Sequence, residues 1–249
     1  MNRTAATLSL IAATFALTAC KEGASNTTTT SATTANASGG AAAAPAGNAL
    51  SSRVTATRDG FLIGDPNARL KVVEFASPTC SHCAEFSMQG SEPFKREFID
   101  TGKASWEIRP FALNGPDMLI ATVVDCVGPQ RGVALLENIF ASQGELIEGL
   151  QAGGANAQAA MARPEGERMA ALASALGIDR FFAARGIPAQ QVNQCLSDQA
   201  KVERWQEATS RGAQQYQIQG TPTFVLDGET LQGVGTWDKL REALVAASS

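Results

Sequence analysis

One histidine, one tyrosine and only 18% charged residues leave this 249-residue chain few ways to do ionic chemistry. A lone imidazole excludes a His-rich metal site, and it excludes His-based catalysis anywhere but in its own neighbourhood. Positive charge is not in excess either. With 20 Lys+Arg against 24 Asp+Glu the net charge is -4, so nothing points to a polyanion such as nucleic acid as partner. Long apolar runs are missing too: the charge-free stretch from residue 4 to residue 19 falls short of the about 20 residues a membrane span needs. What is present is a 44% hydrophobic chain, long enough to bury a core, with an odd number of cysteines, five.

Arg3 followed by the apolar stretch through Leu8, Leu10, Ile11, Phe15 and Leu17 reads as an export signal. It ends in Leu17-Thr18-Ala19-Cys20, which resembles the bacterial lipoprotein box, so residues 1–19 are expected to be removed and Cys20 acylated. Residues 20–50 are then a flexible tether, rich in Ala, Thr, Ser and Gly. No aliphatic or aromatic side chain beyond alanine precedes Leu50, so nothing there repays the entropy of folding.

Folded structure is expected from about Arg53. Arg69 to Phe75 is short, apolar and β-branched and predicts a buried strand, with Glu74 as an anomalous carboxylate inside it. The strand runs into Cys80-Ser81-His82-Cys83 and then into the helical pattern of Ala84, Phe86 and Met88, interrupted at Pro93. A Cys-x-x-Cys between a buried strand and a helix start is a redox arrangement. Unpaired N–H groups and the partial positive charge of the helix start favour a Cys80 thiolate. Cys83, one turn further in, is the resolving thiol. His82 is expected to bring a cation or a donor to the same sulfur, and Glu74 to relay a proton to Cys83 if it points beneath the helix. A zinc knuckle lacks ligands, and a purely structural disulfide across so short a loop removes little unfolded-state entropy.

Near the other end, Thr223 to Leu231 reads as a hairpin about Asp227-Gly228, with Pro222 at the strand entry. Thr236 is placed to cap a last helix carrying Leu240 and Leu244. Strand, Cys-x-x-Cys, helix, then Thr221-Pro222 before a terminal hairpin and helix together resemble the thioredoxin fold, specifically the DsbA-like thiol:disulfide oxidoreductases. The resemblance covers roughly residues 53–249. It implies an α/β fold with an inserted α-helical subdomain: residues 51–114 and 216–249 form the thioredoxin part and 115–215 the insertion. It implies that Pro222 is cis and faces the active-site disulfide, that Thr221 binds the substrate backbone, and that Glu74 is the family's buried acid. The chain departs from the DsbA pattern at Ser81, where Pro is common, and at Thr221, where Val is common. Thr221 is similar to the isomerase and reductase branches.

Within 115–215, apolar residues recur at helical spacing in Met118 to Val127, Val133 to Phe140, Met169 to Leu176, Phe181 to Ala184 and Val192 to Ala208. Gly177 is expected to end one helix and Asp179 to start the next, while residues 151–168, with Gly153-Gly154 and Pro164, read as partly loop. Phe181, Phe182 and Trp205 are core candidates. Cys126 and Cys195 are expected to pair in an oxidising compartment, so the five cysteines divide into one lipid attachment, one redox pair and one structural pair.

The resulting expectation is a monomeric oxidoreductase of the bacterial cell envelope, lipid-anchored and facing the periplasm. It would introduce disulfides into exported proteins, with Cys80, Cys83, Ser81, His82, Glu74, Thr221 and Pro222 as its site. No cofactor is expected beyond the redox-active disulfide. A membrane redox partner, a quinone-linked reoxidant or a thiol donor, would reset it. The alternatives are an envelope isomerase or reductase, or a metal-binding chaperone that holds its ion in the Cys-x-x-Cys.

Overall fold

A computed structural model describes residues 49–249, so the expected signal peptide, Cys20 and nearly all of the expected tether lie outside the described residues. Regular structure starts three residues before Arg53, with a 3-10 turn at Leu50–Ser52. Leu50 packs on the core, and the Ser51 N–H donates to Asp100 Oδ1 at 2.8 Å, which ties the first described residues to the domain.

Six strands form one sheet: β1 (Val54–Ala56), β2 (Phe61–Ile63), β3 (Leu70–Ala76), β4 (Ala104–Pro110), β5 (Thr223–Leu226) and β6 (Glu229–Thr230). Their order is β1-β2-β4-β3-β5-β6. Only β3 and β4 are parallel, and the helix α1 (Ser81–Phe94) lies between them in the chain. The interior strand β3 carries different chemistry on its two faces, as side-chain alternation requires. Leu70 and Val72 point into the main core with Phe86 and Phe94 of α1 and with Leu240 and Leu244 of the last helix, α9 (Trp237–Ala247). Val73 and Phe75 point the other way, toward Tyr216 and Ala213.

The short β1 and β2 and the seven-residue β4 were not anticipated from sequence. In β4 the buried Ala104, Trp106, Ile108 and Pro110 alternate along the chain, but the buried Ser105 between them blurs the period. Pro93 does not end α1. The chain continues from it into a π-helical turn at Lys95–Ile99 that keeps both Phe94 and Phe98 buried.

Between β4 and β5 come α2 (Gly115–Cys126), α3 (Pro129–Ala141), α4 (Gln143–Met161), α5 (Glu165–Ala175), α6 (Ile178–Ala183), α7 (Ala189–Ser197) and α8 (Gln199–Tyr216). Three local readings are corrected here. Within residues 151–168 the non-helical part shrinks to 162–164, and Gly153-Gly154 lie inside α4, where Gly153 faces α5 so closely that a Cβ would meet the Ala175 carbonyl oxygen at 2.3 Å. The run from Val192 to Ala208 is two helices, broken at Asp198, whose carboxylate accepts from the Lys201 N–H. Gly177 has the left-handed φ of +74° expected of a helix end, but α6 follows it directly and Asp179 lies inside that first turn. At α9, Thr236 occupies the N-cap position without a side-chain cap hydrogen bond. Phe181, Phe182 and Trp205 are all buried. None of the described helices is long and apolar enough to cross a membrane.

Candidate active site

The site forms where β3 ends and α1 begins. Ser77-Pro78-Thr79 turns the chain out of the sheet, and Cys80 is the N-cap of α1 with extended backbone (φ −84°, ψ 121°). As the N-cap residue Cys80 makes no side-chain cap hydrogen bond, and its sulfur lies at the helix end where the N–H groups of Cys83 and His82 favour its charged form. Both thiols are free; Cys83 is buried and Cys80 half-buried. Across from them the Thr221-Pro222 peptide bond is cis, and the Cys80 thiol donates to the Thr221 carbonyl oxygen at 3.1 Å. The Thr221 hydroxyl is buried with no partner among the described residues.

The two thiols are driven apart. The Cys83 thiol, donating to the Cys80 sulfur, lowers Cys80 to about 5 against the cost of partial burial, with help from Thr221 and from the N–H groups of Cys83 and His82. Burial pushes Cys83 far up, and its hydrogen bond to Cys80 adds to this. At neutral pH the half-buried sulfur is therefore charged, and the enclosed one protonated. The His82 contribution differs from the sequence expectation. Its side chain is exposed and has no hydrogen-bond partner among the described residues; its backbone N–H is the group that acts. Ser81 is exposed as well.

Glu74 points under the helix. It is 2% exposed, accepts from Trp106 Nε1 at 3.0 Å, and is raised to about 8 by burial, a shift the Trp106 bond opposes and the Cys80 charge reinforces. Its charge in turn raises Cys83.

Several side chains that hold the site were not identified from sequence. Asp117, fully buried in the first turn of α2, accepts from Ser77 Oγ at 2.8 Å and from the N–H groups of Thr79 and Leu113 at 3.0 Å each. Burial raises its carboxyl even so. Asn114, the N-cap of α2, donates to Thr79 Oγ1 at 2.8 Å. Gln143, opening α4, donates to the carbonyl oxygens of Pro78 and Cys80. The Asn114-x-x-Asp117 spacing is a local capping signal; nothing in the sequence connects it, or Gln143, with Cys80. Cys126 at the end of α2 and Cys195 in α7 are bonded, with their Cα atoms 5.9 Å apart. Among the described residues no three His, Cys, Asp or Glu side chains stand close enough together to hold a metal ion.

Beside the cis bond runs an open groove of about 450 Å³, bounded by Gln217 to Thr223 and by Thr230 to Gly235. A dithiol at a helix start, under a Thr-Pro loop and on a sheet of this topology, defines a thioredoxin-fold protein with a helical insertion. The chain belongs to the thioredoxin family, whose model matches residues 56–246. It is similar to the crystal structure of a protein-disulfide isomerase from Novosphingobium aromaticivorans, with a TM-score of 0.70 and 32% identity over 77% of this chain and 98% of that one. Wolbachia pipientis α-DsbA1 shares the fold, with a TM-score of 0.58 and 21% identity over 75% of this chain and 89% of that one. A relative from Rickettsia felis, named a protein-disulfide oxidoreductase, is 25% identical over 168 residues, 68% of this chain and 53% of its own length. The chain thus spans about half or less of the length of the curated relatives it matches.

Proposed function

We propose that this protein is a thiol:disulfide oxidoreductase that oxidises exported proteins in the bacterial cell envelope. The observation that carries the reading is the split between the thiols, Cys80 lowered to about 5 and Cys83 pushed up beside it. In the oxidised protein a substrate thiolate attacks the Cys80 sulfur; the Cys80–Cys83 bond breaks and Cys83 leaves, taking up a proton. A second substrate thiolate then attacks the substrate sulfur of the mixed disulfide and expels Cys80 as a thiolate. The substrate loses two electrons and its two thiol protons, and the enzyme gains the pair. A low Cys80 pKa makes it the better leaving group and stabilises the reduced enzyme, so its disulfide is oxidising.

Glu74, raised to about 8, suits proton transfer to and from Cys83. Thr221 and Pro222, bordering the groove, support binding of an extended substrate segment, with the Thr221 carbonyl oxygen already in contact with the Cys80 thiol. The lipoprotein box at Cys20 motivates a lipid anchor, and the thiols left after each turnover call for a membrane reoxidant. Thr221, together with the name of the Novosphingobium protein, favours isomerisation as the second reading.

Equilibration of the full chain with glutathione measures its reduction potential. A potential well above that of thioredoxin, with oxidation of a reduced peptide that Cys80→Ser abolishes, is the expected result. A thioredoxin-like potential would overturn the oxidase direction, and absence of any exchange would overturn the reading itself.

A further inference from the structure

Gln143 opens α4, 63 residues from Cys80 in sequence, yet it sits on the turn that presents the reactive sulfur. Its Nε2 lies 2.9 Å from the Pro78 carbonyl oxygen and 2.9 Å from the Cys80 carbonyl oxygen. Both partners are acceptors, so chemistry fixes the amide: only the nitrogen, with its two N–H groups, can face them. The Cys80 carbonyl also takes the first α1 bond, from the Ala84 N–H at 3.2 Å. Among the described residues no backbone N–H reaches the Pro78 carbonyl.

We propose that Gln143 is a positioning residue for thiol:disulfide exchange, clamping the Pro78 and Cys80 carbonyls so that the Cys80 sulfur is held at the N-terminus of α1. This inference rests on the oxidoreductase reading above. It follows from what a helix N-cap must do. A thiolate at a helix N-terminus is favoured by the unpaired N–H groups and partial positive charge there, and the place of the sulfur relative to them depends on the ψ of Cys80, to which its carbonyl orientation is tied. Asp117 holds the incoming strand of the same turn through Ser77 and Thr79. Gln143 holds the outgoing side. The turn is thus gripped from two helices of the insertion, α2 and α4, and the insertion acts on the chemistry without contributing a reacting atom.

The test uses Gln143→Met, which keeps the side-chain length and removes both donors, and Gln143→Glu, which sets a carboxylate against two carbonyl oxygens. The Cys80 thiolate is titrated by its absorbance near 240 nm and by the pH dependence of its alkylation. The equilibrium constant with glutathione and the thermal midpoint are measured on the same full-length samples. The clamp predicts that the thiolate midpoint rises by about half a unit in the methionine variant and by about one unit in the glutamate variant. The equilibrium constant then falls by about three-fold and ten-fold, since a less stable thiolate makes a weaker oxidant. A lowered thermal midpoint with an unchanged thiolate midpoint would assign Gln143 to stability alone and overturn the proposal. If the glutamate variant does not fold, the methionine variant decides. Failure here with an exchange-competent parent leaves the oxidoreductase reading standing, whereas a parent inert toward glutathione would remove that reading first.

Discussion

Cys80 and Glu74 titrate in opposite senses on folding, and their signs separate them experimentally. Cys80 is lowered from 9.0 to about 5, so its contribution to the reduced protein is fully present above pH 9 and is lost as pH falls through about 5. The stability gap between reduced and oxidised forms, measured by urea unfolding in a Glu74→Gln background, is expected to shrink steadily from pH 9 to pH 4. A pH-independent gap would contradict the charged-sulfur picture. Glu74 is raised from 4.5 to about 8, so its contribution is complete below pH 4.5 and is lost as pH rises through about 8. Glu74→Gln, which can still accept from Trp106, is therefore expected to gain stability over the parent between pH 5 and pH 8. The same substitution should abolish any step near pH 8 in the rate at which Cys83 resolves a mixed disulfide. An unchanged profile would remove Glu74 from proton transfer. The sequence marked Glu74 as an anomaly by its apolar surroundings, but simple alternation left its direction open. The sheet decides it, because Val72 and Glu74 share the face that α1 covers.

At the scale of elements, adjacent glycines in α4 make opposite predictions. Gly153 meets the backbone of α5, with a Cβ at 2.6 Å from the Leu176 Cα, so Gly153→Ala must push two helices apart and is expected to cost about 1–3 kcal/mol. Gly154 has nothing within 4 Å of a Cβ, so Gly154→Ala is expected to gain about 0.5–1 kcal/mol from helix propensity alone. Urea denaturation of the two variants checks both signs. Read locally, two successive glycines argue against a helix, which is why residues 151–168 read as partly loop and the loop falls only at 162–164. The close approach of α4 to α5 that makes Gly153 necessary is invisible until both helices are placed. Elements whose signal is local were legible: the short, β-branched apolar run of β3, the helical spacing in α2, α3 and α5, and the Asp227-Gly228 turn, where both residues have positive φ. The short β1 and β2 carry too few residues to establish a period.

At the scale of the whole molecule, the Cys126–Cys195 bond ties α2 to α7 across 69 residues. Replacing both cysteines with alanine is expected to cost about 4 kcal/mol in the chain-entropy account, read from chemical denaturation of the oxidised protein. A loss under about 1 kcal/mol would show that the insertion holds its shape by packing alone. The sequence by itself determined the chemistry: two thiols at a strand-to-helix junction, a Thr-Pro ahead of a terminal hairpin, and the periodicities of most helices. These are properties of neighbouring residues, and local spacing encodes them. Only the tertiary structure decided what holds the thiols in place. Trp106 on Glu74, Asp117 on Thr79 and Gln143 on Cys80 join residues 32, 38 and 63 positions apart, and that proximity exists only once the sheet and the insertion have packed together.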